Sequence, residues 1–316
     1  MKIGKRIRQA RVAAGMSQDE AVSALAQRGV KLSKGGLSKY ERDGSFPKQT
    51  LLCELAAVFG VTANYFLEQH ESNVQWLAFR KSDGLTRAAA ERIKTLAEAH
   101  VESFMMLRHA LEPHRKCSRT VAWKVTTPEE VEVAADGLRA AWQLGSQPIE
   151  SVTASIEDAG GIVVEIRDDS VLFDGLSGWG PDGTPIVVAN ASVPDDRRRF
   201  SLAHELGHLY MDLSDVAPNL EERLAHRFAA AFLVPASRVK QEIGETRRHL
   251  DLRELASLKL KYGLSMQAWI FRAADVGVIQ QAHARTLFSA FGAKGWKKVE
   301  PVAFIGRERA SRLRQL

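Results

Sequence analysis

Cysteine is nearly absent. The 316 residues hold only Cys53 and Cys117, far apart in the chain, so neither a disulfide framework nor a cysteine-based zinc site can be built from them. Both read as buried or idle thiols. Proline and glycine are also sparse, at 10 and 23 residues, and with a charged fraction of 26% they exclude collagen-like, low-complexity and wholly disordered chains. No apolar run reaches the ~18 residues of a membrane span, and the opening MKIGKRIRQARVAAG lacks the long apolar stretch of a secretory signal. The expectation is a cytoplasmic protein with no membrane partner. No G-x-G-x-x-G follows a strand-like run and no G-x-x-x-x-G-K occurs, so nucleotide-binding loops are unsupported.

What remains is globular. Apolar residues make up 45% of a chain about twice the length of one ordinary domain, which predicts two or three cooperating units. The net charge of +6 is concentrated at one end: residues 1–70 carry eleven Lys or Arg against six Asp or Glu, while the rest is almost balanced. A basic face of this kind attracts nucleic-acid phosphate by counterion release.

The first seventy residues divide into short helices. Ile3, Ile7 and Val12 recur at helical spacing up to Gly15, and Ser17 with Glu20 forms an S-x-x-E capping box that starts a second helix carrying Ala21, Val22 and Leu25. Ser33 to Glu41 is short and polar, anchored by Leu37 and Tyr40. A turn at Asp43-Gly44 and Pro47 leads to a fourth helix over Thr50 to Phe59, and a fifth follows through Asn64, Tyr65 and Phe66. SQDEA, LSKYERDGSFP and LLCELAAVFGVTANYFL together resemble the Cro/C1-type (XRE) helix-turn-helix family. That resemblance implies a five-helix bundle that places its third helix in the major groove of double-stranded DNA, commonly as a homodimer. It assigns Gln18 and the first amides of helix two to phosphate, and Lys34, Ser38 and Lys39 to base edges. Gly35-Gly36 weakens that recognition helix by roughly 1 kcal/mol per Gly relative to Ala.

Residues 71–127 read as a helical connector, in which Ile93, Leu96, Ala97, His100, Val101, Phe104, Leu107 and Leu111 form one amphipathic stripe that ends before Pro113. His100 reads as a packed structural histidine, and Arg115, Lys116 and Arg119 as a solvated loop. From Pro128 the pattern alternates. Val131 to Trp142 and Ile149 to Ile156 have helical spacing, whereas Ile162–Ile166, Val171–Phe173 with a turn at Asp174-Gly175, and Pro185–Asn190 read as three strands of one small sheet.

Then comes RFSLAHELGHL. Residues four apart share a helix face, so His204 and His208 can aim at one ion while Glu205 reaches a bound water: the pattern is H-E-x-x-H. With three protein ligands Zn²⁺ keeps a position for water and lowers its pKa toward ~7, and Glu205 is placed to accept that proton. The metzincin continuation is absent, because Met211 and Ser214 stand where its Gly and His belong. The next helix, EERLAHRFAAAFLVP, offers Glu222 and His226, four apart, as the third ligand, with the other His as orienting group or oxyanion partner. Tyr210 is open between an oxyanion donor and a packing role.

RFSLAHELGHLYMD followed by ERLAHRFAAAFLVP resembles the ImmA/IrrE family of zinc metallopeptidases, with weaker similarity upstream through DGLRAAWQLGSQPI, GGIVVEI and FDGLSGW. The resemblance implies Zn²⁺ on His204, His208 and Glu222, catalysis by Glu205, and cleavage of a protein such as a repressor or antitoxin. His226 stands where the family commonly has Asn, which leaves it either to orient a ligand or to replace Glu222 on the ion. The expected whole is multidomain: an all-α helix-turn-helix bundle over 1–70, the connector over 71–127, an α+β zincin-like domain with a small sheet over 128–280, and an extension over 281–316 whose Trp296 packs on the peptidase unit. The alternative is a regulator or antitoxin whose peptidase-like domain is a non-catalytic sensor or partner-binding module.

Overall fold

The computed structural model describes residues 3–67, 73–81, 85–111, 122–167 and 173–310, with the backbone alone at 78–81. Helices α1 (Ile3–Ala13), α2 (Gln18–Gln27), α3 (Lys34–Glu41) and α4 (Gln49–Phe59) are followed by a 3₁₀ turn, Ala63–Phe66, where a fifth helix was expected. Strand β1 (Gln75–Lys81), α5 (Arg87–Leu111), β2 (Trp123–Lys124), α6 (Pro128–Ala141) and α7 (Val152–Asp158) lead to β3 (Ile162–Ile166), β4 (Phe173–Trp179) and β5 (Pro185–Asn190). Then come α8 (Asp195–Tyr210), β6 (Met211–Asp212), α9 (Pro218–Leu233), α10 (Ala236–Ile243), α11 (Leu252–Tyr262), α12 (Met266–Asp275) and α13 (Gln281–Ala293). The chain divides into two compact units, Met1–Asn73 with Gly84–Leu107, and Val74–Asp83 with Arg108–Leu316. The stretch expected as a separate connector is therefore shared out between them.

In the first unit Ile3, Ile7, Ala21, Leu25, Leu37, Leu55, Phe59 and Phe66 meet in one buried core. The capping box forms as its sequence dictates: Glu20 N donates to Ser17 Oγ (3.2 Å) and Ser17 N to Glu20 Oε2 (2.7 Å). Ser33 Oγ accepts from Gly36 N (3.1 Å) and starts α3. The α5 stripe buries Ile93, Ala97, Val101 and Phe104, but Leu107 and Leu111 stay exposed. His100 is not packed; it is exposed, and its Nδ1 lies 2.8 Å from Leu96 O. Cys53 is an exposed free thiol rather than a buried one, while Cys117 and the basic cluster at Arg115, Lys116 and Arg119 lie outside the described residues.

The second unit is α+β. Its four-stranded sheet has the order β1-β4-β5-β3, with β3 parallel to β5 and with β4 antiparallel to both β5 and β1; β2 and β6 form a short parallel pair. Two expectations are corrected here. The sheet has a further strand, β1, whose residues carry no clean alternation. Asp174-Gly175 lies inside β4, not at a turn, because the buried Asp174 carboxylate accepts from Arg197 on α8 (2.6 Å) instead of facing solvent. α6 begins on a second capping box, Thr127 with Glu130.

α8 is buried from Leu202 through Tyr210 and packs between the sheet and α9. A side chain at Gly207 would meet Phe228 Cβ of α9 at 3.2 Å, so glycine there sets how closely the two helices approach. Tyr210 sits edge-on to Trp142 (5.8 Å) and Trp179 (5.7 Å), which gives its ring the packing role. At the other end Trp296 packs against Phe291, as expected for the extension. Its final residues, 311–316, lie outside the described residues. Glu308 is fully buried among polar partners on α7 and α8.

Candidate metal centre and nucleic-acid face

The i, i+4 spacing on α8 brings His208 Nε2 within 3.1 Å of His204 Nε2. Neither ring is free to leave: the His204 and His208 side chains are 0% and 3% exposed. From α9, Glu222 places Oε2 3.4 Å from His204 Nε2 and Oε1 3.6 Å from His208 Nε2, while its own side chain remains half exposed. Two imidazole nitrogens and a carboxylate this close on one side are donors arranged around a shared cation, since zinc–nitrogen and zinc–oxygen bonds span ~2.0–2.2 Å. Borderline-soft imidazoles with one hard carboxylate form a donor set that suits Zn²⁺. The residues fit the ion that the motif predicts.

His226 belongs to the same cluster. Its ring lies 4.7 Å from that of His204 and stacks on Phe200 (5.8 Å), and His204, Glu222 and His226 can bring one ligand atom each within 4.8 Å of one another. Two triads therefore share His204 and Glu222. The triad completed by His208 is the tighter, with its three contacts at 3.1, 3.4 and 3.6 Å. Geometry thus favours His226 as a flanking group, and Glu222 is common to both arrangements.

Glu205 is 1% exposed and is gripped by the sheet. Ser177 Oγ on β4 donates to Glu205 Oε2 at 2.6 Å. Two residues away on the same strand, a Cβ at Gly175 would come within 2.7 Å of Glu205 Oε1, so only glycine leaves that oxygen room. Neither residue was singled out from the sequence, because the strand that carries them was read as ending before them. Glu221, read as a solvent-facing neighbour, places Oε1 3.4 Å from His208 Nδ1 and can orient that ring from behind. Its adjacency to Glu222 was the only sequence signal.

On the helix-turn-helix unit, Lys34 and Lys39 are exposed on α3 and Ser38 is half-buried. Lys34 Nζ pairs with Asp19 (2.7 Å), and both side chains are well exposed. Such a pair is worth under ~1 kcal/mol and yields readily to phosphate. Gln18 differs from expectation. Its Nε2 donates to Glu41 Oε2 (2.7 Å), beside the buried Arg11–Glu41 pair, so its side chain serves the bundle interior.

Comparison with known proteins gives matches to both halves. A family model described as helix-turn-helix matches residues 7–66, and one described as IrrE N-terminal-like domain matches residues 157–274. The chain is also 30% identical over 105 residues to "HTH-type transcriptional regulator ImmR" of Bacillus subtilis (strain 168), an alignment covering 33% of this chain and 76% of the relative. The chain belongs to the XRE-type helix-turn-helix family and carries, behind its DNA-binding domain, a metallopeptidase-like domain of the IrrE/ImmA kind.

Proposed function

We propose that this chain is a DNA-binding regulator whose second domain is a zinc-dependent endopeptidase acting on another protein, such as a repressor or antitoxin. The observation that carries the reading is the convergence of His204, His208 and Glu222 beside a buried Glu205 that Ser177 holds in place. His204, His208 and Glu222 hold the ion. When bound, Zn²⁺ supplies the electrophilic activation of water and of the scissile carbonyl that the side chains alone lack.

The chain's own residues do the rest. Glu205 takes a proton from the attacking water and passes it to the leaving amine. Ser177 occupies Oε2 and fixes the carboxylate plane, while the space that Gly175 leaves lies beside Oε1. The nearly complete burial of Glu205 keeps bulk water from competing. The half-exposed Glu222 side chain marks the solvent-facing side, from which a polypeptide approaches.

The helix-turn-helix domain delivers this activity to double-stranded DNA, with Lys34, Ser38 and Lys39 at base edges, the first amides of α2 at phosphate, and a homodimer matching two half-sites. The relative's role as a transcriptional regulator supports control of transcription, in the cytoplasm. Among the described residues no helix is long and apolar enough to cross a membrane.

The test uses the intact protein and the repressors encoded beside it. Glu205→Gln is expected to retain stoichiometric zinc by metal analysis and to lose cleavage, as the parent does with chelator. Continued, chelator-sensitive cleavage by Glu205→Gln removes the assigned base. Zinc binding with no cleavage of any such repressor by the parent leaves the domain as a sensor.

A further inference from the structure

β1 is the outermost strand of the sheet and runs antiparallel along β4. Its pairing partners are the residues that hold Glu205: Ala78 lies across from Ser177, Phe79 from Leu176 and Arg80 from Gly175. Among β3, β4 and β5, only β4 runs against the direction of the other two, and it is also the strand that reaches the carboxylate. Without β1 its outer edge would present a row of unpaired N–H and C=O groups beside the metal centre. Such an edge captures an extended polypeptide by strand addition, at the ~4.8 Å spacing of a sheet, and has room for one chain at a time.

Two further features mark this edge as an acceptor. A Cβ at Gly178 would come within 2.7 Å of Gln75 O and 3.1 Å of Trp76 Cα, so the strand is trimmed to let another backbone approach closely. The pairing of β1 is also irregular, with register shifts between Trp76 and Ala78 and between Arg80 and Lys81. Each shift leaves backbone groups outside the ladder and lowers the cost of peeling the strand away. In sequence, β1 is entered from and left into segments that group with the helix-turn-helix unit.

We propose that β1 is a built-in occupant of a polypeptide-binding edge on β4, and that an extended segment of a protein partner binds there by displacing it. Naming that segment as the substrate rests on the peptidase reading; the exchange of strands does not.

The experiment replaces residues 75–81 in the full-length chain with a Gly/Ser sequence of equal length and uses a labelled synthetic peptide, NVQWLAFRKS (residues 73–82), as the probe. Hydrogen exchange of the β4 amides should accelerate by about tenfold or more in the replaced chain and return toward the parent's rate when the peptide is added. By fluorescence anisotropy the peptide should bind the replaced chain at least about tenfold more tightly than the parent, whose edge is already filled. Unchanged β4 exchange in a folded replaced chain overturns the proposal, as does equal peptide binding by both chains. Should the replaced chain fail to fold, Leu77→Pro and Ala78→Pro, which remove strand amides singly, are read in the same way. Neither readout involves hydrolysis, so failure here is distinct from failure of the Glu205→Gln test.

Discussion

Glu308 Oε1 lies 2.7 Å from Arg199 Nη1, with both side chains at most 1% exposed, and this pair ties the chain's last described stretch to the helix that carries the H-E-x-x-H motif. The same carboxylate accepts from the amides of Val152 (3.0 Å) and Thr153 (2.9 Å) at the start of α7. Burial lowers the Arg199 pKa, and Glu308 opposes that loss. Glu308→Ala leaves a buried cation without its carboxylate and is expected to cost about 3–5 kcal/mol. Urea unfolding reads the loss; a change under ~1 kcal/mol would mean that solvent reaches Arg199 freely.

The two glycines of α3 are not equivalent. A Cβ at Gly35 meets nothing within 4 Å, whereas one at Gly36 meets Leu32 Cδ1 at 2.9 Å. Gly35→Ala should therefore stabilise the first unit by about 0.5–1 kcal/mol through helix propensity, and Gly36→Ala should gain less or lose stability. Thermal melts of the full chain followed at the first transition separate them. Equal gains would show that Leu32 moves aside without cost.

Zinc affinity, measured by competition with a chromophoric chelator, assigns the third ligand. Glu222→Ala is expected to weaken binding by more than ~100-fold, and His226→Ala by about 10–100-fold, the range for a group that orients a ligand without bonding the ion. The reverse order would exchange their roles.

The acid limb of stability should carry the signature of Glu132. Burial disfavours its carboxylate, but hydrogen bonds and charge from Arg272 (2.6 Å) and Arg227 (3.0 Å) outweigh burial and hold its pKa below the ordinary 4.5. A depressed carboxylate pKa contributes stability above its unfolded value, and that contribution fades as pH falls through the folded value. Glu132→Gln should be markedly less stable than the parent at pH 7, and the gap should narrow below about pH 4.5. A gap of constant size would assign the loss to packing. Asp136 and Asp275, whose pKa values burial raises, oppose this trend in both proteins alike.

DNA retention should respond to the exposed lysines of α3. Lys34→Ala with Lys39→Ala is expected to weaken binding and to reduce the slope of log affinity against log salt by up to about 1.8, or about 0.9 for each phosphate that is no longer neutralised. An unchanged slope would remove both residues from the interface.

Much of this molecule was legible from the chain alone. Ser17 and Glu20 stand at capping-box spacing, and Ser17 starts α2. His204 and His208, four apart on a helix, had to share a face, and their approach to 3.1 Å follows from that spacing. Glu222 and His226 were legible as neighbours of one point for the same reason. In each case the signal lies within a single turn of helix, where covalent geometry fixes which side chains meet.

Tertiary structure decided the rest. Ser177 reaches Glu205 across 28 residues and Glu308 reaches Arg199 across 109, separations at which no periodicity constrains who meets whom. β1 was read as part of a connector because its fit is to the outer edge of β4, not to any pattern of its own. Gly175 looked like a turn, yet it lies inside a strand because the Glu205 carboxylate needs the space a side chain would take. Local spacing determined which donors face the same way; only the closure of sheet, helix and tail against one another determined what surrounds them, because that depends on contacts the chain makes after it has folded back on itself.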